Sequence, residues 1–147
     1  MEKLTGVILK HSIALAQRTT SAQVVAGSAI DISGVSEIKN FLYASAVAAG
    51  SVKIQDVQFA NDSSFSVNVL TYTSDDYLNK NDRMSSTSAI DQTSLSAAGT
   101  KSLSLKNLAI NGQKYFRVRT VASSGSPDAT FEVKTILLYL DQPQVQS

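Results

Sequence analysis

The chain has no cysteine and no tryptophan, two prolines, and a single histidine among its 147 residues. Each shortage closes off a class of chemistry. Without cysteine there is no disulfide, no thiolate nucleophile and no thiolate metal site. One histidine, His11, cannot build a multi-histidine zinc site. It sits beside Lys10 near the terminus, where a solvated ring is expected rather than a catalytic base. No glycine-rich phosphate-binding motif occurs. Charge of one sign is missing too: 13 basic and 12 acidic residues give +1, and the basic ones are scattered. A protein that holds nucleic acid by neutralising phosphates shows a basic patch or stripe, so nucleic acid is not an expected partner. No run of about 18 apolar residues exists to cross a membrane as a helix. Lys10 and His11 also interrupt the apolar segment that a secretion signal would keep continuous. These absences predict a chain that is not an enzyme and carries no cofactor or metal.

What is present is serine, threonine, alanine and valine, which suit pleated, half-buried surfaces better than long helices. A chain of this length makes one ordinary domain and buries roughly 70% of its unfolded surface. Apolar and polar residues alternate with a period of two in Ser51–Phe59, Phe65–Leu70 and Lys101–Leu105, imperfectly in the first. Turn clusters at Ser33-Gly34, Asn61-Asp62-Ser63, Asn79–Asp82, Asn111-Gly112 and Ser123–Pro127 separate the runs. Seven or eight short strands at this spacing predict an all-β sandwich or barrel, and no βαβ rhythm appears.

One stretch looks chemical. In KYFRVRTV, Lys114–Val121, Phe116 and Val118 share one face and Tyr115, Arg117 and Arg119 the other. Read as a hairpin with 129–139, this strand buries Phe116 and Val118 beside Phe131 and Val133. Arg117 and Arg119 then lie outside, next to Glu132. The alternative is an arginine pair that grips a partner's carboxylates. The polar stretch Thr73–Gly99 holds Asp75, Asp76, Asn79, Asn81 and Asp82, with one short strand or turn of helix expected around Ser88–Leu95. Its acidic cluster lacks the glycine and closing glutamate of a calcium loop, so a solvated loop is expected. Tyr72 and Tyr77 flank that cluster and are the slender basis for a carbohydrate- or receptor-binding reading.

Met1–Ala22 stands apart, with Val7, Ile8, Leu9, Ile13 and Leu15 in neither a clean helix nor a clean strand. So much apolar surface calls for a cover. It is either an edge strand that completes the fold or an arm that docks on a partner by adding a strand to a sheet edge.

Several segments carry a resemblance together: VVAGSAIDISG from Val24 to Gly34, VKIQDVQFANDSSF from Val52 to Phe65, and NGQKYFRVR from Asn111 to Arg119. This layout resembles the small β-sandwich decoration or cement proteins that bind the outside of tailed-bacteriophage heads. In that group a strand with an acidic turn and an aromatic, here Asn61–Phe65, is followed by an aromatic-Arg-Val strand, here KYFRVR. The glycine of that acidic turn is replaced by Ser63 or Ser64. The resemblance covers residues 23–140 and leaves 1–22 as an N-terminal arm and 141–147 as a C-terminal tail. It implies a small antiparallel β-sandwich, expected to be jelly-roll-like, and the alternating strands predict Phe41, Ile54, Phe65, Val67, Leu103, Phe116, Val118, Phe131, Val133 and Leu137 in its core. It also implies a non-catalytic virion protein assembled in the host cytoplasm. Its partner would be the major capsid protein, and it would form a homo-oligomer, dimer or trimer. Phage tail and neck proteins share similar sandwiches. The interface candidates are Val7, Ile8, Leu9, Ile13, Leu15, Arg117 and Arg119.

Overall fold

The computed structural model describes residues 3–72, 93–106 and 113–143. All its strand pairings are antiparallel. The strands are β1 (Lys3–Arg18), β2 (Val24–Ala26), β3 (Ile30–Asp31), β4 (Glu37–Ala60), β5 (Leu70–Tyr72), β6 (Gly99–Lys106) and β7 (Tyr115–Pro143). They form one sheet with central order β1-β7-β4-β5, in which β2 and β3 also pair with β7 and β6 pairs with β4. The chain is therefore all-β, and its single sheet curls over a core as a half-barrel.

Two strands of unusual length make the curl. β4 and β7 lie side by side and turn a common corner. Residues 37–49 of β4 pair with 128–138 of β7, and 51–60 pair with 115–123. At the corner Gly50 alone stands against the four residues 124–127, because Ala49 is opposite Asp128 and Ser51 is opposite Ser123. Gly50 has φ +72, and a Cβ there would meet the Ser123 carbonyl oxygen at 2.4 Å. Only glycine passes. The small residues Ala44–Ser51 and three register shifts between Ala44 and Ser51 complete the bend.

This corner corrects the expected hairpin. Ser123–Pro127 reads as a two-strand turn, but β7 continues through it without reversing. Phe116 and Val118 are neighbours of Phe59 and Val57 on β4, while Phe131 and Val133 face them across the curled sheet within the same core. The N-terminal chain rounds the same corner: β1 follows 129–143, β2 follows 119–121 and β3 follows 115–116. The sheet nearly closes on itself. The Ile32 amide donates to the Lys114 carbonyl and the Ser36 amide to the Leu138 carbonyl, so five residues span the two ends of β7. The Ser28 amide reaches the Ser12 carbonyl of β1 at 2.9 Å.

The core holds Ile38, Leu42, Val52, Ile54, Val57, Phe59, Leu103, Leu105, Phe116, Val118, Phe131, Val133 and Leu137. Seven of the ten expected core residues lie in it. Phe41 does not: the inward positions of β4 are Ile38, Asn40, Leu42 and Ala44, and the buried asparagine hides that frame in the sequence. Phe65 and Val67 do not either. Their alternating run is a loop, because the Asp62 carboxylate captures the Ser66 and Val67 amides at 2.9 Å and the Ser66 hydroxyl at 2.6 Å. Phe65 and Asn68 are left-handed there, both with φ 54. Of the short strand or turn of helix expected around Ser88–Leu95, the described residues include one isolated bridge, in which Leu95 and Val52 exchange both backbone hydrogen bonds. Residues 88–92 lie outside the described residues.

Candidate functional site

The two arginines are held by β4, not by Glu132. Arg119 makes a two-pronged ion pair with Asp56, Nε to Oδ1 at 2.7 Å and Nη2 to Oδ2 at 2.5 Å. Arg117 donates from Nε to Gln58 Oε1 at 2.8 Å, and its guanidinium lies 4.3 Å from the Phe65 ring centroid. Gln58 in turn donates to the Thr71 hydroxyl. The Asp56 hydrogen bond holds the Arg119 guanidinium above its ordinary range, whereas burial lowers Arg117, with a further push from Arg119. Glu132 pairs with Lys134 instead, at 3.3 Å. The reason is the corner: in the real register Asp56 is opposite Arg119 and Gln58 opposite Arg117, and Glu132 lies beyond the bend. The signal was present. Asp56 and Gln58 share the parity of Val52 and Ile54, and that break in alternation marks the register shift between Ile54 and Asp56.

The N-terminal candidates lie on β1, which occupies an edge of the sheet. Ile13 is in the core at 4% exposed, but Val7 (63%), Leu9 (50%), Leu15 (50%) and Ile8 (42%) are exposed. Of the two expectations for this segment, the pairing is that of an edge strand. Val7 and Leu9 are opposite Leu138 and Ile136, so these four share the outer face. Beyond them on the same face stand Glu37 and Lys39 of β4, opposite Leu138 and Ile136, and farther along β4 Phe41 and Tyr43, opposite Lys134 and Glu132.

Ile8 points the other way. Opposite the buried Leu137, it helps floor an open cleft of about 420 Å³ between β1 and residues 28–33. Lys10 stands on the β1 wall on the same side as Ile8, with Ser28, Asp31 and Ser33 across from it and Tyr139 beside Leu137, whereas His11, opposite the outward Lys134, shares the face of Val7 and Leu9. The Asp31 carboxylate accepts the Ser33 amide at 2.9 Å, and that bond holds its pKa below the ordinary 3.8. No sequence signal brought these residues together, because their meeting depends on the sheet curling until β1 reaches β3.

Tyr72 packs edge-on to Phe59 at 5.9 Å and so belongs to the core wall. Tyr77 and the acidic cluster Asp75–Asp82 lie outside the described residues. No group of three or more His, Asp or Glu side chains placed to hold a metal ion occurs among the described residues. Comparison with protein-family models, curated proteins and solved structures yields no match.

Proposed function

We propose that this chain is a structural binding protein that docks on a protein lattice through β1 and the outer face beside it. The resemblance gives the lattice: the outside of a tailed-phage head, with the major capsid protein as partner and decoration of the shell as the role. On this reading the two halves of the curled sheet serve as the facing layers of a jelly-roll-like sandwich. Dimer or trimer formation would add avidity on a symmetric shell.

One observation carries the proposal. A 16-residue edge strand presents Val7 and Leu9 outward beside Ile136 and Leu138, which sets an apolar strip along a sheet edge whose carbonyls are engaged at Ser12 by the Ser28 amide and at Ala14 and Ala16 by Arg18. Edge strands are ordinarily blunted by charge, proline or a cover, and an apolar one is a template for strand addition. Each apolar side chain covered there contributes roughly 1.5–3 kcal/mol before ordering costs.

Deleting the segment is a poor test, because Ser12 and Ile13 are part of the interior. The double substitution Val7→Lys with Leu9→Lys leaves those residues in place. We expect it to fold and melt as the parent does, and to lose binding to undecorated heads of the source phage. Retained binding by the double variant, or no binding by the parent, would overturn the proposal.

A further inference from the structure

The cleft between β1 and β3 has a composition that the docking surface does not explain. Its floor is apolar, from Ile8, Ile30 and Leu137, and Tyr139 adds the side of a ring. Its walls are polar and of opposite sign. Lys10 stands on one and Asp31 on the other, and no hydrogen bond or ion pair engages the Lys10 side chain among the described residues. Asp31 is tied to the Ser33 amide, and the Ser28 amide is tied to the Ser12 carbonyl at the closed end.

We propose that this cleft binds an acidic saccharide. The Lys10 ammonium receives the sugar's carboxylate. Asp31 accepts hydrogen bonds from its hydroxyl groups, with the Ser28 and Ser33 hydroxyls beside it. The C–H face of the ring lies on Tyr139 and the aliphatic floor. A simple anion gains from Lys10 but is repelled by Asp31, and a neutral sugar leaves the cationic wall unused. A ligand that carries a carboxylate and hydroxyl donors a few ångströms apart satisfies both walls at once. The volume, about 420 Å³, lies in the range of small-ligand sites and suits one or two sugar rings.

Glucuronate, glucose and acetate are suitable probes, each titrated into the full-length protein while backbone amide resonances are followed. Glucuronate should give saturable shifts centred on residues 8–11 and 28–33, with glucose and acetate at least about tenfold weaker. Lys10→Ala and Asp31→Asn should each weaken glucuronate by about tenfold while the spectrum stays folded. No saturable shift with glucuronate overturns the proposal, as does acetate binding equally well or an Asp31→Asn variant that binds glucuronate more tightly. The double substitution of Val7 and Leu9 should leave this titration unchanged, so the cleft and the docking surface fail or stand separately.

Discussion

The two halves of the curled sheet are built from the same two strands, yet they treat their outer faces in opposite ways. Beyond the corner, where 51–60 of β4 meet 115–123 of β7, the outer face is closed by protein. Asp56 binds Arg119, Gln58 binds Arg117, and Phe65 covers Arg117 from the loop that Asp62 organises. Before the corner, where 37–49 meet 128–138, the outer face carries Val7, Leu9, Ile136 and Leu138 with no such cover among the described residues. The interiors differ in the reverse sense. The closed half has an aromatic core, with Phe59 and Phe116 rings 5.4 Å apart. The open half threads a polar string across three strands inside: Ser12 and Thr135 hydroxyls 2.5 Å apart, and Thr135 to Asn40 Oδ1 at 2.8 Å. Asn40 then donates to the Leu103 carbonyl of β6. Buried hydrogen bonds of this kind select one register, since a slip of one residue leaves every member unpaired. The half with the open outer face is thus pinned from within, and the half with the closed outer face is pinned from outside.

Several measurements would break or sharpen this contrast. The largest effect belongs to the aromatic core: Phe116→Ala removes a fully buried ring and should cost about 3–5 kcal/mol in denaturant unfolding. A loss below about 1 kcal/mol would mean that the closed half does not depend on its rings. Next comes the outer network. Asp56 is only 2% exposed, so Arg119→Ala strands a buried carboxylate. Because the arginine side chain is itself 25% exposed, the loss should stay below that of a fully buried pair, at about 2–3 kcal/mol. An exposed pair with Glu132, as the hairpin register implied, would have been worth at most about 1 kcal/mol.

In the open half, Thr135→Val keeps the shape and deletes the hydroxyl that joins Ser12 to Asn40. We expect a loss of about 1–2 kcal/mol in chemical unfolding and exchange broadening of amides along β1, which Phe116→Ala should not reproduce. The smallest effect concerns acid. Hydrogen bonds from Ser66 hold the Asp62 carboxyl below its ordinary value of 3.8. Its contribution to the loop is therefore complete above pH 3.8 and fades as pH falls through the lower folded value. The Ser66 and Val67 amide shifts should follow that carboxyl on acidification, and Asp62→Ala should abolish the transition. A midpoint above 3.8 would contradict the hydrogen-bond geometry.

Local alternation decides which side of a strand a residue faces, and that much stood in the sequence itself. Phe116 and Val118 point in and Arg117 and Arg119 point out; Leu103, Phe131, Val133 and Leu137 are buried; no α-helix occurs among the described residues. A period of two is a property of a few adjacent residues, so it survives whatever the strand pairs with. Where alternation failed as a guide, a polar group had found a partner, far along the chain for Asn40 and Asp56 and within five residues for Asp62. Asn40 lies inside because Thr135 waits there, and Asp56 shifts frame at a bulge to meet Arg119. Phe65 leaves the strand pattern because Asp62 captures the amides that follow it. Only the tertiary structure decided that β4 and β7 turn one corner together. Gly50 and the extra residues 124–127 make a bend only when they stand opposite each other, and that pairing brings together positions more than 70 residues apart. The same curl carries Lys10 to Asp31 and leaves Val7 and Leu9 at the edge.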